Sequence, residues 1–186
     1  SQSIALQLDV RTDKAFKLDH RIGIKSGSEL KVGSRARVQQ VLAERWKAVL
    51  SEELYWQDTR GFGSRTVFDL DYVHDPRRLT RWRSRFDYGE KTLGVEWYSA
   101  LTYSYALKKE RAISYYVRAY GYTRPNYLTR GYGPGWVYRQ NFLKRWLFWE
   151  IEPRYTWVRD YPEESRAGVA SLTLRLELVF GQDYIH

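Results

Sequence analysis

Three histidines, His20, His74 and His186, are the residues of this sequence best suited to metal binding or acid–base chemistry. No two of them have the spacing of metal ligands, and the chain has no cysteine to supply a thiolate ligand or a nucleophile. A serine hydrolase needs a histidine with a hydroxyl partner on its own or an adjacent strand, together with an orienting polar group. One alternative of this kind is His74 combined with Asp71 and with a serine from a neighbouring strand. The sequence predicts no catalytic residue, no metal site and no cofactor.

Two further stretches resemble chemical motifs but lack their essential parts. The glycine-rich GYGPGW (131–136) lacks the Lys-Ser/Thr of a phosphate-binding loop and precedes a strand pattern rather than a helix. We interpret it as a loop or as a glycine kink in a strand. Glu150 and Glu152 lie two residues apart, on one face of a strand, whereas a glycosidase places its carboxylates across a cleft. They are expected to pair with arginines on adjacent strands.

Composition excludes several classes of protein. Aromatic residues make up 17% and charged residues 28% of the 186 residues. No run of about 20 apolar residues exists, which argues against a helical membrane protein. The net charge of +9 raises the question of nucleic-acid binding, but the basic residues are scattered among the acidic ones along nearly every segment. The sequence therefore predicts no nucleic-acid partner, and a basic balance suited to phosphate-rich lipid head groups.

Alternation of apolar and polar residues with a period of two recurs throughout the chain and is typical of β-strands. In the last such segment, 167–180, every second residue from Ala170 to Phe180 is apolar, and Arg175 and Glu177 lie between. About eleven segments of roughly 9 to 15 residues show this pattern, close to the length that crosses a bilayer as a tilted strand. The stretch 37–51 also consists of good helix formers, so a helix there is an alternative to a hairpin.

The same pattern fits a soluble sheet or a membrane barrel, and two features favour the barrel. Tight turns alternate along the chain with longer or glycine-rich ones, as expected for short turns on one side of a membrane and longer loops on the other. Aromatic residues concentrate near the ends of the apolar faces, where Trp and Tyr satisfy both lipid and water. The predicted interfacial aromatics are Trp46, Trp56, Trp82, Tyr103, Tyr105, Trp157 and Phe180.

The predicted fold is an all-β, antiparallel, up-and-down transmembrane β-barrel that forms a single domain over 1–186. Single-chain barrels have even strand numbers, so we expect ten to twelve strands and favour twelve. Since the sequence starts at Ser1 and contains no Met, it is also interpreted as a processed chain or a fragment that lacks N-terminal residues. A soluble ligand-binding β-barrel or β-sandwich is the alternative fold.

The chain resembles Gram-negative outer-membrane β-barrel proteins. The resemblance lies in a final strand of alternating apolar residues, Leu172 to Leu178, that closes on the aromatic Phe180 and is followed by GQDYIH. It implies the outer membrane of a Gram-negative bacterium as the location, with lipid and lipopolysaccharide as surroundings. It also implies recognition by the barrel-assembly machinery during biogenesis, and a lipoprotein or other envelope component is a further expected partner.

In such a barrel the charged residues would face the lumen, where basic residues outnumber acidic ones. They would interdigitate into a salt-bridged filling, which we favour, or leave a narrow aqueous path that prefers anions. The role is then structural, interaction-based or passive permeation, with Arg81, Arg83 and Arg85 as the ladder that guides anions. A barrel enzyme that modifies lipid or lipopolysaccharide is the alternative function. The predicted lumen network comprises Asp19, Arg21, Arg35, Arg37, Asp69, Asp71, Arg81, Arg83, Arg85, Glu96, Arg118, Glu150, Glu152, Arg154, Arg175 and Glu177.

Overall fold

The structure, a computed structural model, describes residues 2–11, 16–26, 30–92, 94–108, 110–142 and 144–178. These residues form eleven β-strands. No helix within them is long and apolar enough to cross a membrane. The strands are β1 (Gln2–Arg11), β2 (Phe16–Ser26), β3 (Lys31–Ala43), β4 (Trp46–Gln57), β5 (Gly61–Asp75), β6 (Arg78–Gly89), β7 (Val95–Lys108), β8 (Arg111–Tyr122), β9 (Leu128–Phe142), β10 (Lys144–Val158) and β11 (Ala167–Leu178).

Each strand pairs with the next one in the chain, so the sheet runs from β1 to β11 in sequence order. All ten pairings are antiparallel. The predicted all-β, antiparallel, up-and-down sheet is therefore confirmed. Pairing between β1 and β11 does not occur within the described residues, and closure into a barrel of ten to twelve strands stays a prediction.

The stretch 37–51 is a hairpin, and the helical alternative is wrong. β3 and β4 are joined by a turn at 44–45, with a register shift between Val41 and Ala43. Good helix formers fill this stretch, but its period-two pattern allows residues 37–40 to pair with both β2 and β4, and residues 46–51 to pair with both β3 and β5. Tertiary pairing overrides helix propensity here.

Connections differ in length at the two ends of the sheet. Residues 44–45 and 76–77 form tight turns at one end, called here the short-turn end. At the opposite end, the long-loop end, the connections span 58–60, 90–94, 123–127 and 159–166. The long turns expected from the sequence occur at 123–127 and 159–166, whereas the connection at 58–60 is only three residues long because β5 begins at Gly61.

The GYGPGW motif lies inside β9, so its interpretation as part of a long loop is wrong. The loop before it covers only 123–127, and β9 continues without interruption through Gly131, Gly133 and Gly135. The three glycines alternate with Tyr132, Pro134 and Trp136, which gives one face without side chains and one face with large ones. That strict alternation is a strand pattern.

The two faces of the sheet have opposite character, and their exposure is the reverse of a soluble core. One, the apolar face, carries Leu172, Leu174 and Leu176, which are 60%, 70% and 73% exposed. The other, the polar face, carries Asp71 and Asp87, which are 3% and 2% exposed. A water-soluble sheet buries leucine and exposes aspartate. Since carboxylates are covered here and leucines are not, the exposure of the two faces is opposite to that of a water-soluble sheet.

Candidate functional site: the polar face

Ion pairs between β5 and β6 form the centre of the polar face. The register places Asp71 opposite Arg81 and Asp69 opposite Arg83. Arg81 donates Nε and Nη2 to the two carboxylate oxygens of Asp71 at 2.7 and 2.9 Å. Arg83 does the same to Asp69 at 2.6 and 2.8 Å. Such two-pronged contacts are the strongest form of side-chain ion pair, and they fix the guanidinium planes against the wall of the sheet.

A third carboxylate, Asp87, binds two arginines. Arg65 lies opposite it on β5 and donates Nε to Oδ1. Arg85 lies two residues away on the same strand, and its Nε is 2.9 Å from Oδ2. Arg85 faces Val67 across the strands, so no carboxylate opposes it directly. One negative charge is therefore shared between two positive charges.

The arginines lie above the aspartates on the polar face. The side chains of Asp69 and Asp87 are 9% and 3% exposed, whereas those of Arg83 and Arg85 are 46% and 47% exposed. The carboxylates are covered by their guanidinium partners, which present their remaining N–H groups away from the sheet. Since arginine stays charged at all physiological pH values, the accessible layer of this face is cationic.

Arg118 on β8 extends the cationic layer away from the ion pairs. Its register partners are Ala100 on β7 and Gly133 on β9, neither of which carries a charge. Its guanidinium carbon lies 5.9 Å from the ring centres of Tyr116 and Tyr120. Within the part of the chain that the structure describes, Arg118 forms no ion pair. It is a cation held by aromatic rings, whose faces favour positive charge.

A second group of charges spans β8 to β11. Arg175 Nη1 lies 2.7 Å from Glu150 Oε1, and the two residues are in register. Glu152 accepts a hydrogen bond from the Tyr116 hydroxyl across the intervening β9, and Arg154 Nη1 lies 4.0 Å from it. Arg154 also donates Nε to Ser171 Oγ at 2.6 Å.

Glu177 on β11 pairs with an arginine on a strand two places away. Arg139 Nη2 on β9 lies 2.6 Å from Glu177 Oε2, across β10. A contact between strands two places apart cannot be predicted from spacing in the sequence, because it depends on the register of the sheet and on the length of the side chains. The pair could not have been assigned before the sheet was known.

The remaining predicted lumen residues lie at the margins of these groups. Arg35 Nε donates to Ser51 Oγ at 2.9 Å. Glu96 lies 3.2 Å from Arg60 Nη2 at the long-loop end. Arg37 is an exposed residue opposite Ser51 on β4 and Asp19 on β2. The side chains of Asp19 and Arg21 lie outside the described residues.

Tyrosine rings lie flat over glycines on the polar face, an arrangement absent from the sequence-based predictions. A Cβ atom at Gly135 would lie 2.5 Å from Tyr116 Cζ, and one at Gly131 would lie 2.6 Å from the Tyr120 hydroxyl oxygen. Each ring thus occupies the space that a neighbouring side chain would fill. This packing of aromatic rings over strand glycines fixes register in β-sheets. The alternating glycines of β9 were the available signal.

Gly63 on β5 provides a test of this packing. A Cβ there would lie 2.5 Å from both Tyr55 Cζ and the backbone oxygen of Tyr88. We expect Gly63→Ala to lower stability by about 1 to 3 kcal/mol, since the carbonyl cannot move aside. The midpoint of urea unfolding in detergent measures it. In the control Gly89→Ala, the nearest atom is 3.1 Å away, so a smaller loss is expected. Equal losses would contradict the packing argument.

Several of the predicted interfacial aromatics lie near the two ends of the strands on the apolar face. Trp46 lies 4.8 Å from Tyr72 between ring centres at the short-turn end, and the contacts continue through His74 to Tyr103. Near the long-loop end, Trp157 lies 5.5 Å from Tyr132. These rings form two clusters at opposite ends of the strands.

The other predicted aromatics are placed less uniformly. Trp82 lies inside β6, where its Nε1 donates to Ser99 Oγ at 2.9 Å. Trp56 and Tyr105 lie near the long-loop and short-turn ends. Phe180 lies outside the described residues.

His74 belongs to the aromatic cluster and not to a catalytic arrangement with Asp71. Its Nε2 lies 2.8 Å from Thr80 Oγ1 on the apolar face. Asp71 points to the polar face, where both of its oxygens bind Arg81. Three or more His, Cys, Asp or Glu residues that could together hold a metal ion do not occur within the described residues.

Comparison with solved structures supports the fold. The chain is similar to a structure described as the NanC porin in a rhombohedral crystal form, with a TM-score of 0.59 and 9% sequence identity. The match covers 95% of this chain and 92% of that chain. No protein-family model matches the sequence, and no curated protein matches it. The likeness at this identity shows the fold: a porin-like, all-β antiparallel sheet.

Proposed function

We propose that the chain is an integral β-barrel of the Gram-negative outer membrane, with the apolar face in lipid and the polar face around a lumen. The observation that supports this most strongly is the reversed exposure of Leu174 and Asp71. Hydrocarbon is the neighbour that makes exposed leucines favourable, and a closed sheet is the form in which strands can lie there, since it leaves no unpaired edge. Closure with an even number of strands, twelve in our prediction, completes that arrangement.

The lumen is proposed to be a narrow water-filled path that favours anions. Within the described residues, no ion pair joins strands more than two places apart, so these contacts run along the wall and not across it. The exposed guanidinium groups of Arg81, Arg83 and Arg85, together with Arg118, would attract anions and repel cations. This geometry favours permeation over the salt-bridged filling that we expected from the sequence.

The surroundings of the barrel follow from its faces. Lipid and lipopolysaccharide would contact the apolar face, with the aromatic clusters at the two boundaries between lipid and water. The alternating leucines of β11 would serve as the segment that the barrel-assembly machinery recognises. A lipoprotein or another envelope component remains a proposed partner.

Planar-bilayer recordings of the purified protein test the permeation proposal. We expect discrete conductance steps, and a reversal potential in a salt gradient that has the sign of anion preference. The heat-modifiable gel mobility of the same sample reports whether the barrel has folded. A folded sample without steps at any voltage would contradict permeation and leave a filled, structural barrel.

A further inference from the structure

A carboxylate lies in the middle of the apolar face. Glu52 on β4 lies between Leu50 and Leu54, which are 48% and 59% exposed. Its Oε2 accepts a hydrogen bond of 2.5 Å from Thr66 Oγ1 on β5, its one hydrogen-bond partner within the described residues. A carboxylate can accept about four hydrogen bonds, and an ionisable group facing lipid is costly unless it is paired. The position therefore indicates an additional partner.

Small residues surround Glu52 on the same face. Ala36 lies directly opposite it on β3, and Ser34 and Ser64 lie opposite Leu54 on either side. Small residues allow the backbone of another membrane segment to approach closely, and they are enriched where membrane segments pack together. A flat, weakly polar area thus interrupts the leucines and aromatics of the apolar face.

A second polar group on the apolar face, Ser84 with Ser99, differs from Glu52 because it is already covered. Ser84 and Ser99 lie 3.4 Å apart, and the Trp82 indole donates to Ser99. Ser84 is only 8% exposed. That group is satisfied inside one chain, whereas Glu52 is only half-buried and has the Thr66 hydroxyl as its one hydrogen-bond partner within the described residues.

The row of residues through Glu52 is self-complementary. Ala36 is in register with His20 on β2 and with Glu52 on β4. Neighbouring strands lie about 4.8 Å apart. The positions of His20 and Glu52 therefore lie at equal distances on either side of Ala36. When two such faces pack against each other around a two-fold axis that passes between the two Ala36 residues, β2 of one copy opposes β4 of the other. Each His20 position then lies near the Glu52 of the other copy.

We propose that the apolar face of β3 to β5 is an interface between two copies of this chain in the membrane, centred on Ala36. The inference rests on the proposed function, since it takes this face to lie in lipid. Two-fold dimers are the commonest assemblies, and they require a surface complementary to itself. An adjoining groove of about 610 Å³ extends the interface, lined by Val32, Leu54, Trp56, Phe62 and Tyr88 among others.

Single-cysteine crosslinking tests the dimer, because the sequence has no cysteine of its own. Ala36→Cys in lipid vesicles at a low protein-to-lipid ratio, treated with a short bis-maleimide, is expected to give a crosslinked dimer as the main product. Leu174→Cys is the matched control, since it is 70% exposed on the same face of β11. We expect several-fold less dimer from it.

A second variant tests the role of Glu52. Adding Glu52→Leu to Ala36→Cys is expected to lower the crosslinked yield several-fold, although leucine is more compatible with lipid than glutamate. Equal crosslinking at positions 36 and 174, a single adduct with another protein, or an unchanged yield with Glu52→Leu would overturn the proposal. Heat-modifiable mobility of each sample shows whether the barrel itself has formed, so failure of the dimer is distinguishable from failure of the barrel.

Discussion

Leu174→Arg is expected to impair membrane insertion strongly, while Thr173→Arg is tolerated. Leu174 lies in the interior of β11 on the apolar face and is 70% exposed. An arginine on the lipid face near the centre of the bilayer costs roughly 2 to 4 kcal/mol. Thr173 lies on the polar face opposite Glu152, where an added guanidinium meets a carboxylate. Urea titration of folding into lipid vesicles, followed by heat-modifiable mobility, measures both variants.

The two substitutions differ by one position in the chain and introduce the same side chain. The pair therefore separates orientation from any general effect of charge on β11. If the two variants fold equally well, neither face is distinguished by lipid, and the assignment of the apolar face fails. If Thr173→Arg is the worse of the two, the faces are reversed.

Arg118→Glu is expected to lower the anion-to-cation permeability ratio several-fold. Arg118 is half-buried and carries a positive charge without a carboxylate opposite it on either neighbouring strand, so its field is not cancelled locally. Reversal of this charge changes the local charge by two units inside the proposed narrow path, where side-chain charges would determine ion selectivity. The reversal potential in a salt gradient measures the ratio.

Arg77→Glu is the matched control for Arg118→Glu. Arg77 lies in the exposed turn at 76–77, and the substitution makes the same change in net charge outside the proposed path. We expect its reversal potential to stay close to that of the unmodified protein. Similar shifts in both variants would mean that total charge, and not a charged lumen, sets selectivity.

Much of the fold could be predicted from the sequence because strand alternation is a local property. The apolar residues of β11, from Leu172 to Leu176, show their common face without any knowledge of neighbouring strands. The hairpin between β3 and β4 was harder, because helix propensity and alternation disagreed over 37–51. For β9 the sequence is ambiguous, because Gly131, Gly133 and Gly135 are typical of loops and also of strands whose neighbours pack rings over glycines.

The sequence predicts on which face of the sheet the charged residues of the site lie, but it does not predict which residues form ion pairs with each other. Arg81 and Asp71 lie on the same face by parity alone, but their pairing depends on the register that the tight turn at 76–77 sets between β5 and β6. Sharing of Asp87 by Arg65 and Arg85 depends on side-chain reach. For Glu52, strand parity in the sequence shows that it lies on the same face as Leu50 and Leu54. Only the register of the sheet shows that it lies in a row with Ala36.

In the barrel that we propose, the tyrosines of β8 that pack over glycines also determine how wide the lumen can be. A tyrosine ring that projects from the sheet would narrow the lumen. Tyr116 and Tyr120 instead lie against the sheet, because β9 has no side chains at Gly135 and Gly131. On this side the wall is therefore little thicker than a single ring. In the proposed barrel, a larger residue at either glycine would push a ring into the lumen, so loss of stability and loss of ion flow are expected together.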